Sequence, residues 1–188
     1  MDKTLLAYII GIALGDGNLS NPNGRAVRLR ITCDTRYPLL IKKIVTALQK
    51  LFPNNKVSLV KGGKKSYLNI SCYSNQWESL LGWKAKQGNK CVQNVSIPEW
   101  IKQNKKFSIN CLRGLIETDG SIYQDRTYTM LNFVTVIPRL AEDVLTIMTQ
   151  LGFVPHLYNV TTQHRLKYTV RLSKKVPEFI KLVNCIKA

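Results

Sequence analysis

"LRGLIETDG", residues 112–120, decides how this chain is read. It looks like a buried helix ending at a glycine, yet it sets two carboxylates, Glu117 and Asp119, into an apolar run. The pattern occurs twice: "LLAYIIGIALGDGNL" (residues 5–19) parallels "INCLRGLIETDGSIY" (109–123). Each copy has an apolar run, two small residues four apart (Gly11 and Gly15; Gly114 and Thr118) and a terminal Asp-Gly. Asp16 and Asp119 lie 103 positions apart.

The residues after each copy also repeat. "VRLRITC" and "LNFVTV" read as strands, and "YPLLIKKIVTALQKLF" and "RLAEDVLTIMTQLGF" as helices with apolar residues at i, i+3 and i+4. The hairpins "KVSLVKGGKKSYLNISCYS", with Gly62-Gly63 at its turn, and "PHLYNVTTQHRLKYTVRLSKK" come next. Each half then closes on "IPEWIK" (97–102) or "VPEFIK" (176–181). The expected fold is α+β, two tandem αββαββα units with two antiparallel four-stranded sheets. Residues 1–82 form one half and 105–188 the other. Residues 83–104 join them, beginning with the polar, basic "WKAKQGNKCVQNVS" (83–96), read as a connection.

The 188 residues include 28 Lys and Arg against 11 Asp and Glu, a net charge of +17, with an ordinary hydrophobic fraction of 45%. A chain of this length buries roughly 70% of its unfolded surface, so the excess charge belongs to the surface of a folded body and a polyanion is its natural partner. Five cysteines without a C-x-x-C pair and only two histidines argue against zinc fingers and histidine-based nuclease chemistry. Free buried thiols in a reducing compartment fit better. With no signal peptide and no apolar span near twenty residues, the expectation is an intracellular protein without a membrane partner, in an organelle (chloroplast or mitochondrion) or a prokaryotic cytoplasm.

Three strands carry the same bias on one face. Arg28, Arg30 and Thr32 alternate with Val27, Leu29, Ile31 and Cys33; Tyr67, Asn69, Ser71 and Tyr73 with Leu68, Ile70 and Cys72. Arg165, Lys167, Thr169 and Arg171 alternate with Leu166, Tyr168, Val170 and Leu172. These polar types bond base edges and phosphates, and a β-ribbon fits a major groove. A solvated face is the ordinary reading of any one such strand; three together in a cationic chain favour nucleic acid. Lys61, Lys64, Lys65 and Arg126 join the candidate DNA contacts. The strand near 127–136 alternates poorly, and its outward face stays unassigned. Strands of about ten residues span roughly 33 Å, so two sheets side by side match about two turns of duplex.

Small residues four apart let two helices pack almost backbone to backbone. If the motif helices cross with pseudo-twofold symmetry, Asp16 and Asp119 emerge together, with Gly17 and Gly120 expected in left-handed helix-ending turns. Two anions at helix C-termini are unfavourable, so stability does not explain them. A divalent cation does. Carboxylates with the last-turn carbonyls of Gly15 and Thr118 are hard ligands suited to Mg²⁺, with Mn²⁺ or Ca²⁺ able to occupy the same sites. A metal between carboxylate and phosphodiester activates water and stabilises the leaving oxygen. One acid per half implies one cut per strand. Glu117, whose counterpart is Leu14, has no place in this symmetric arrangement.

"IIGIALGDG" (9–17) and "LRGLIETDG" (112–120) resemble the two motifs of a single-chain, two-motif LAGLIDADG homing endonuclease, and the repeat extends the resemblance over essentially the full length. The first motif departs at its opening positions but keeps Gly11, Gly15, Asp16 and Gly17. The resemblance implies a monomer whose motif helices form the interface of a pseudo-twofold saddle, with the sheets in the major groove of double-stranded DNA. It implies that Asp16 and Asp119 bind metal and cut both strands across the minor groove, leaving short 3′ overhangs for intron homing. It also implies a basic residue near each centre: Lys90 before "IPEWI", and Lys174 or Lys175 before "VPEFI", although a phosphate-contacting or solvated role is open to each. Lacking an intein's Cys or Ser start and His-Asn ending, the chain resembles a free-standing, intron-encoded member. The alternatives are a group I intron RNA maturase, which binds intron RNA without needing catalysis, and a DNA-binding regulator on the same scaffold.

Overall fold

The computed structural model describes residues 1–62, 66–162 and 165–186, without the side chains of Thr162 and Arg165. The first half runs α1 (Lys3–Asp16), β1 (Gly17–Ser20), β2 (Arg28–Asp34), α2 (Pro38–Leu51), β3 (Val57–Lys61), β4 (Tyr67–Tyr73) and α3 (Trp77–Leu81). After α4 (Glu99–Lys102) the order returns: α5 (Lys105–Asp119), β5 (Gly120–Asp125), β6 (Tyr128–Thr135), α6 (Pro138–Gln150), β7 (His156–Thr162), β8 (Arg165–Leu172) and α7 (Val176–Val183). Two four-stranded antiparallel sheets result, ordered β1-β2-β4-β3 and β5-β6-β8-β7. The expected fold class is the observed one.

α1 starts at Asp2, whose carboxylate accepts from the Thr4 and Leu5 amides at 2.8 and 3.2 Å. Every residue from Leu6 to Leu14 is buried, as befits a helix apolar all round at the centre of a molecule. α5 begins at the Asn104 cap and packs across it. A Cβ on Gly11 would meet the Cys111 carbonyl oxygen, while one on Gly114 would stand 2.5 Å from the Tyr8 carbonyl oxygen and 2.6 Å from the Ile12 nitrogen. Tyr8 and Cys111 are themselves equivalent positions in the repeat, so the two close approaches are reciprocal. This is the reciprocity of a pseudo-twofold crossing, made between backbones.

The chain then turns straight into strand. Gly17 (φ −83°, ψ 149°) and Gly120 (φ −78°, ψ 145°) are extended, not left-handed as the sequence suggested. Glycine is required there by space. A Cβ would lie 2.5 Å from the Ala13 carbonyl oxygen in one case and the Ile116 carbonyl oxygen in the other, because each strand leaves pressed against the helix it has just left.

α2 and α6 have Pro38 and Pro138 in their first turns and bury one stripe each, Leu40, Ile44, Leu48 and Leu51 in α2, Leu140, Val144, Ile147 and Met148 in α6. β4 is followed by α3, where Trp77 packs on Phe52 at 4.6 Å and donates its indole N–H to the Cys72 carbonyl. "IPEWIK" therefore does not close the first half. The Ile97 amide and the Lys102 ammonium both donate to Asp143 on α6, at 2.7 and 2.9 Å, and Trp100 meets Phe107 edge-on, which holds α4 against the second half. β2, β4 and β8 have 7, 7 and 8 residues, spanning about 23–27 Å, less than the ten-residue estimate. Among the described residues no helix is long and apolar enough to cross a membrane.

Gly11→Ala and Gly114→Ala should each destabilise the protein by about 1–3 kcal/mol, because the new methyl meets backbone that cannot swing aside. Helix propensity alone predicts a gain of about 1 kcal/mol. Urea denaturation decides between the two signs.

Candidate active site

The crossing delivers the two motif acids to one place. Asp119 Oδ2 is 2.9 Å from where a Gly15 Cβ would stand, with the Thr118 side chain packed against the same point. Gly15 therefore leaves room for the opposing carboxylate beside Asp16. Asp16 is exposed and Asp119 half-buried, so solvent reaches both.

Lys90 joins them from the segment between the halves. Its ammonium donates to the carbonyls of Ala13 (3.1 Å), Leu14 (2.6 Å) and Gly15, sitting as a cation on the C-terminal end of α1. Burial lowers its pKa to about 8 against the opposing pull of Asp119 and Asp16. Because that value lies below the roughly 10.4 of an unfolded lysine, the half-buried ammonium costs stability below about pH 8, and the cost fades as pH rises from there toward the unfolded value. Leu14, Gly15, Lys90, Asp119, Val134, Val136 and Lys167 line one recess at this point. Lys174 and Lys175 are not among its lining residues. Both are exposed, on the turn between β8 and α7, with Lys175 in the left-handed region (φ 56°).

The donor set limits which metal fits. Among the described residues no group of three or more His, Cys, Asp or Glu side chains converges. Two carboxylates, completed by water and substrate phosphate, suit Mg²⁺ or a similar hard cation rather than a protein-enclosed site. The Gly15 carbonyl already accepts from Lys90, so any role as metal ligand competes with that bond. The Thr118 hydroxyl turns back to the Gly114 and Leu115 carbonyls at 3.1 and 3.0 Å.

Strand register sorts the expected DNA contacts. Arg28, Arg30 and Thr32 pair across from Tyr73, Ser71 and Asn69, all on one face, and β1 adds Asn18 opposite Arg30 and Ser20 opposite Arg28. Ser71 is buried within that face. Lys61 pairs with Leu68 and so belongs to the other face of its sheet, at the strand end. Lys64 and Lys65 lie outside the described residues, as does the Arg165 side chain. Arg126 sits exposed in the turn of the β5–β6 hairpin with φ 57°. On the second sheet Arg171, Thr169 and Lys167 face outward with Asn132 and Val134 of β6 and His156, Tyr158 and Val160 of β7. That assigns the strand whose face the pattern left open: Tyr128, Met130, Asn132 and Val134 point out, and their apolar members hid the alternation. Arg171 donates to the Tyr123 hydroxyl at 2.8 Å, while Arg171 Nε and the neighbouring Asn132 Oδ1 have no partner within the protein. Asn18, Ser20, Tyr123, Asn132 and His156 were not among the expected contacts. β1 offered no alternation long enough to locate Asn18 and Ser20, and the apolar outward members of β6 hid Asn132.

Glu117 is sealed in the core with 0% exposure. Its carboxylate accepts from the Tyr8 hydroxyl (2.7 Å), the Lys43 ammonium (2.8 Å) and the Ile186 amide (2.9 Å), and Lys43 lies 4.4 Å from the Tyr8 ring centroid. Burial, reinforced by Glu117, raises the Tyr8 pKa. The second carboxylate of the opening motif thus ties α1, α2 and the C-terminal segment to α5.

The halves match two related sequence families in turn: a WhiA LAGLIDADG-like domain over residues 5–72 and a LAGLIDADG-like domain over 106–180. The chain is a two-motif LAGLIDADG protein. Its fold is that of I-DmoI, solved in complex with DNA and Mn, at a TM-score of 0.72 and 21% identity over 96% of each chain. Full-length DUF199/WhiA from Thermatoga maritima also shares it, at a TM-score of 0.69 and 13% identity over 98% of this chain and 56% of that one. In sequence this LAGLIDADG chain is 25% identical over 156 residues to the ATP-dependent DNA helicase Hel308 of Thermococcus kodakarensis, covering 81% of this chain and 13% of that protein. It spans no more than 19% of the curated relatives it matches.

Two measurements probe these contacts. Lysine side-chain NMR should find Lys90 titrating near pH 8, and Asp119→Asn and Asp16→Asn should each move it lower, since each carboxylate stabilises the ammonium. Glu117→Ala should cost about 2–4 kcal/mol in denaturant unfolding. That is below the full loss for a sealed ion pair, because the Lys43 side chain is 28% exposed.

Proposed function

We propose that this protein is a site-specific double-strand DNA endonuclease that hydrolyses one phosphodiester in each strand with a divalent metal. The observation that carries the reading is the meeting of Asp16 and Asp119 at a solvent-reachable crossing, beside a half-buried lysine and between two sheets with polar, partly cationic outer faces. The relatedness to a fold solved with DNA and, in different crystals, Mn, Ca or Mg supports it.

In this reading Asp16 and Asp119 hold the metal, which when bound supplies an activated water and stabilises the leaving oxygen. Lys90 offsets part of the repulsion between the acids and keeps a positive charge beside the phosphate they approach. Arg28, Arg30, Lys167 and Arg171 fix the duplex through phosphates and base edges. Cleavage across the minor groove with short 3′ overhangs, for intron homing by a monomer, is the finer form of the proposal. Residues 83–104 in this scheme both join the halves and bring in Lys90. Lys174 has no supporting contact and is set aside.

The rival is binding without cutting, to intron RNA or as a regulator, which the match of residues 5–72 to a WhiA domain keeps in view. Incubation with a randomised plasmid library and Mg²⁺, followed by sequencing of ends, should yield paired cuts at a recurring long site. Asp16→Asn and Asp119→Asn should each reduce cutting at least a hundredfold while changing duplex affinity by less than about tenfold. Absence of cuts together with tight intron RNA binding would establish the rival.

A further inference from the structure

The outer faces of the two sheets differ chemically although their strands pair alike. The first carries mostly hydrogen-bonding side chains, and Val60 is its single aliphatic member among the described residues. On the second, Val134 stands across from Thr169, Thr169 from Tyr158, and Val160 from Lys167. Val134, Tyr158 and Val160 are 38, 48 and 50% exposed, and Val136, just past β6, is 40% exposed. Val134, Val136 and Lys167 also line the recess that holds Asp119. Val134 and Val136 therefore sit beside Asp119, and Val160 lies two strands from Val134 on the same face, with Lys167 of β8 across from it.

A protein partner would favour a continuous apolar patch with charges kept to its rim, whereas Lys167 and Arg171 stand inside this one. A duplex suits both kinds of side chain. The bases offer nitrogen and oxygen edges in the major groove, and one apolar group, the thymine 5-methyl. We infer that the second sheet reads thymine methyls through Val134 and Val160, with Lys167 holding the adjacent phosphate or base edge, in one half of the target close to the cleavage centre. The inference rests on the proposed DNA-binding function and gives it a base preference: a thymine-bearing half-site under β5–β8 and a half-site read by hydrogen bonds under β1–β4.

The test uses the full chain in EDTA, so that binding is read without cutting. Duplexes are selected from a randomised library, and each thymidine of the enriched target is replaced singly by deoxyuridine, which lacks only the methyl. Each contacted methyl should be worth about fourfold in affinity, and the sensitive positions should cluster in one half. A Val134→Ser/Val160→Ser variant, altered only at exposed positions, should bind the two duplexes equally while retaining the wild-type melting curve. The single variants Val134→Ser and Val160→Ser should each abolish part of the sensitivity. An enriched target without methyl-sensitive positions, or with sensitivities spread over both halves and unchanged in the variants, overturns this inference alone. Failure to enrich any duplex overturns the DNA reading and the inference with it.

Discussion

The close approach of α1 and α5 is the constraint that organises the molecule. Two helices pack with backbones almost touching only where side chains are missing, and here Gly11 faces the Cys111 carbonyl while Gly114 faces that of Tyr8. So short a separation sends both helix ends to the same point. It also leaves no room for a Cβ at Gly17 or Gly120, where each strand doubles back along its own helix. The sheets are therefore carried directly by the crossing, with no flexible loop between the acid of each motif and the first strand of its sheet.

That geometry creates an electrostatic problem. A helix C-terminus already carries partial negative charge, and here each end bears a carboxylate with the two ends adjacent. Lys90 provides one local answer by capping the carbonyls of Ala13, Leu14 and Gly15, at the desolvation cost visible in its lowered pKa. The net charge of +17 provides a diffuse one. A stretch between the repeats, read as mere connection from its polarity, therefore supplies the only lysine among the described residues that caps the end of a motif helix.

Much of the fold was legible because it is written twice. Repetition of an apolar run, a small-residue pair and Asp-Gly at a fixed interval located both central helices, and period-2 alternation in residues 27–33, 67–73 and 165–172 located three inner strands with the correct outward residues. The failures have physical causes. β1 is four residues long, too short for a pattern. In β6 the outward positions include Tyr128, Met130 and Val134, so both faces look apolar. "IPEWIK" resembles "VPEFIK" in letters, but its neighbours in space are Asp143 and Phe107, and contacts with residues far along the chain are what assigned it. Gly17 and Gly120 were recognised as necessary for the wrong reason: conformational freedom suggested them, whereas space demands them.

Departures from the repeat say what each half does alone. Equivalent positions hold Leu14 and Glu117. The first is simply core, while the second is a buried charge that is tolerable because three donors converge on it, one of them from α2 of the other half. A buried charge needs its partners in place, so Glu117 penalises any arrangement of the halves in which Tyr8 and Lys43 are elsewhere, a selectivity that apolar packing does not provide. Lys90 likewise caps α1 and not α5, and the outer faces of the sheets diverge from hydrogen-bonding to partly aliphatic. The paired aspartates keep the symmetry of the repeat. The asymmetric parts fix how the halves pair and make the two sheet faces chemically distinct.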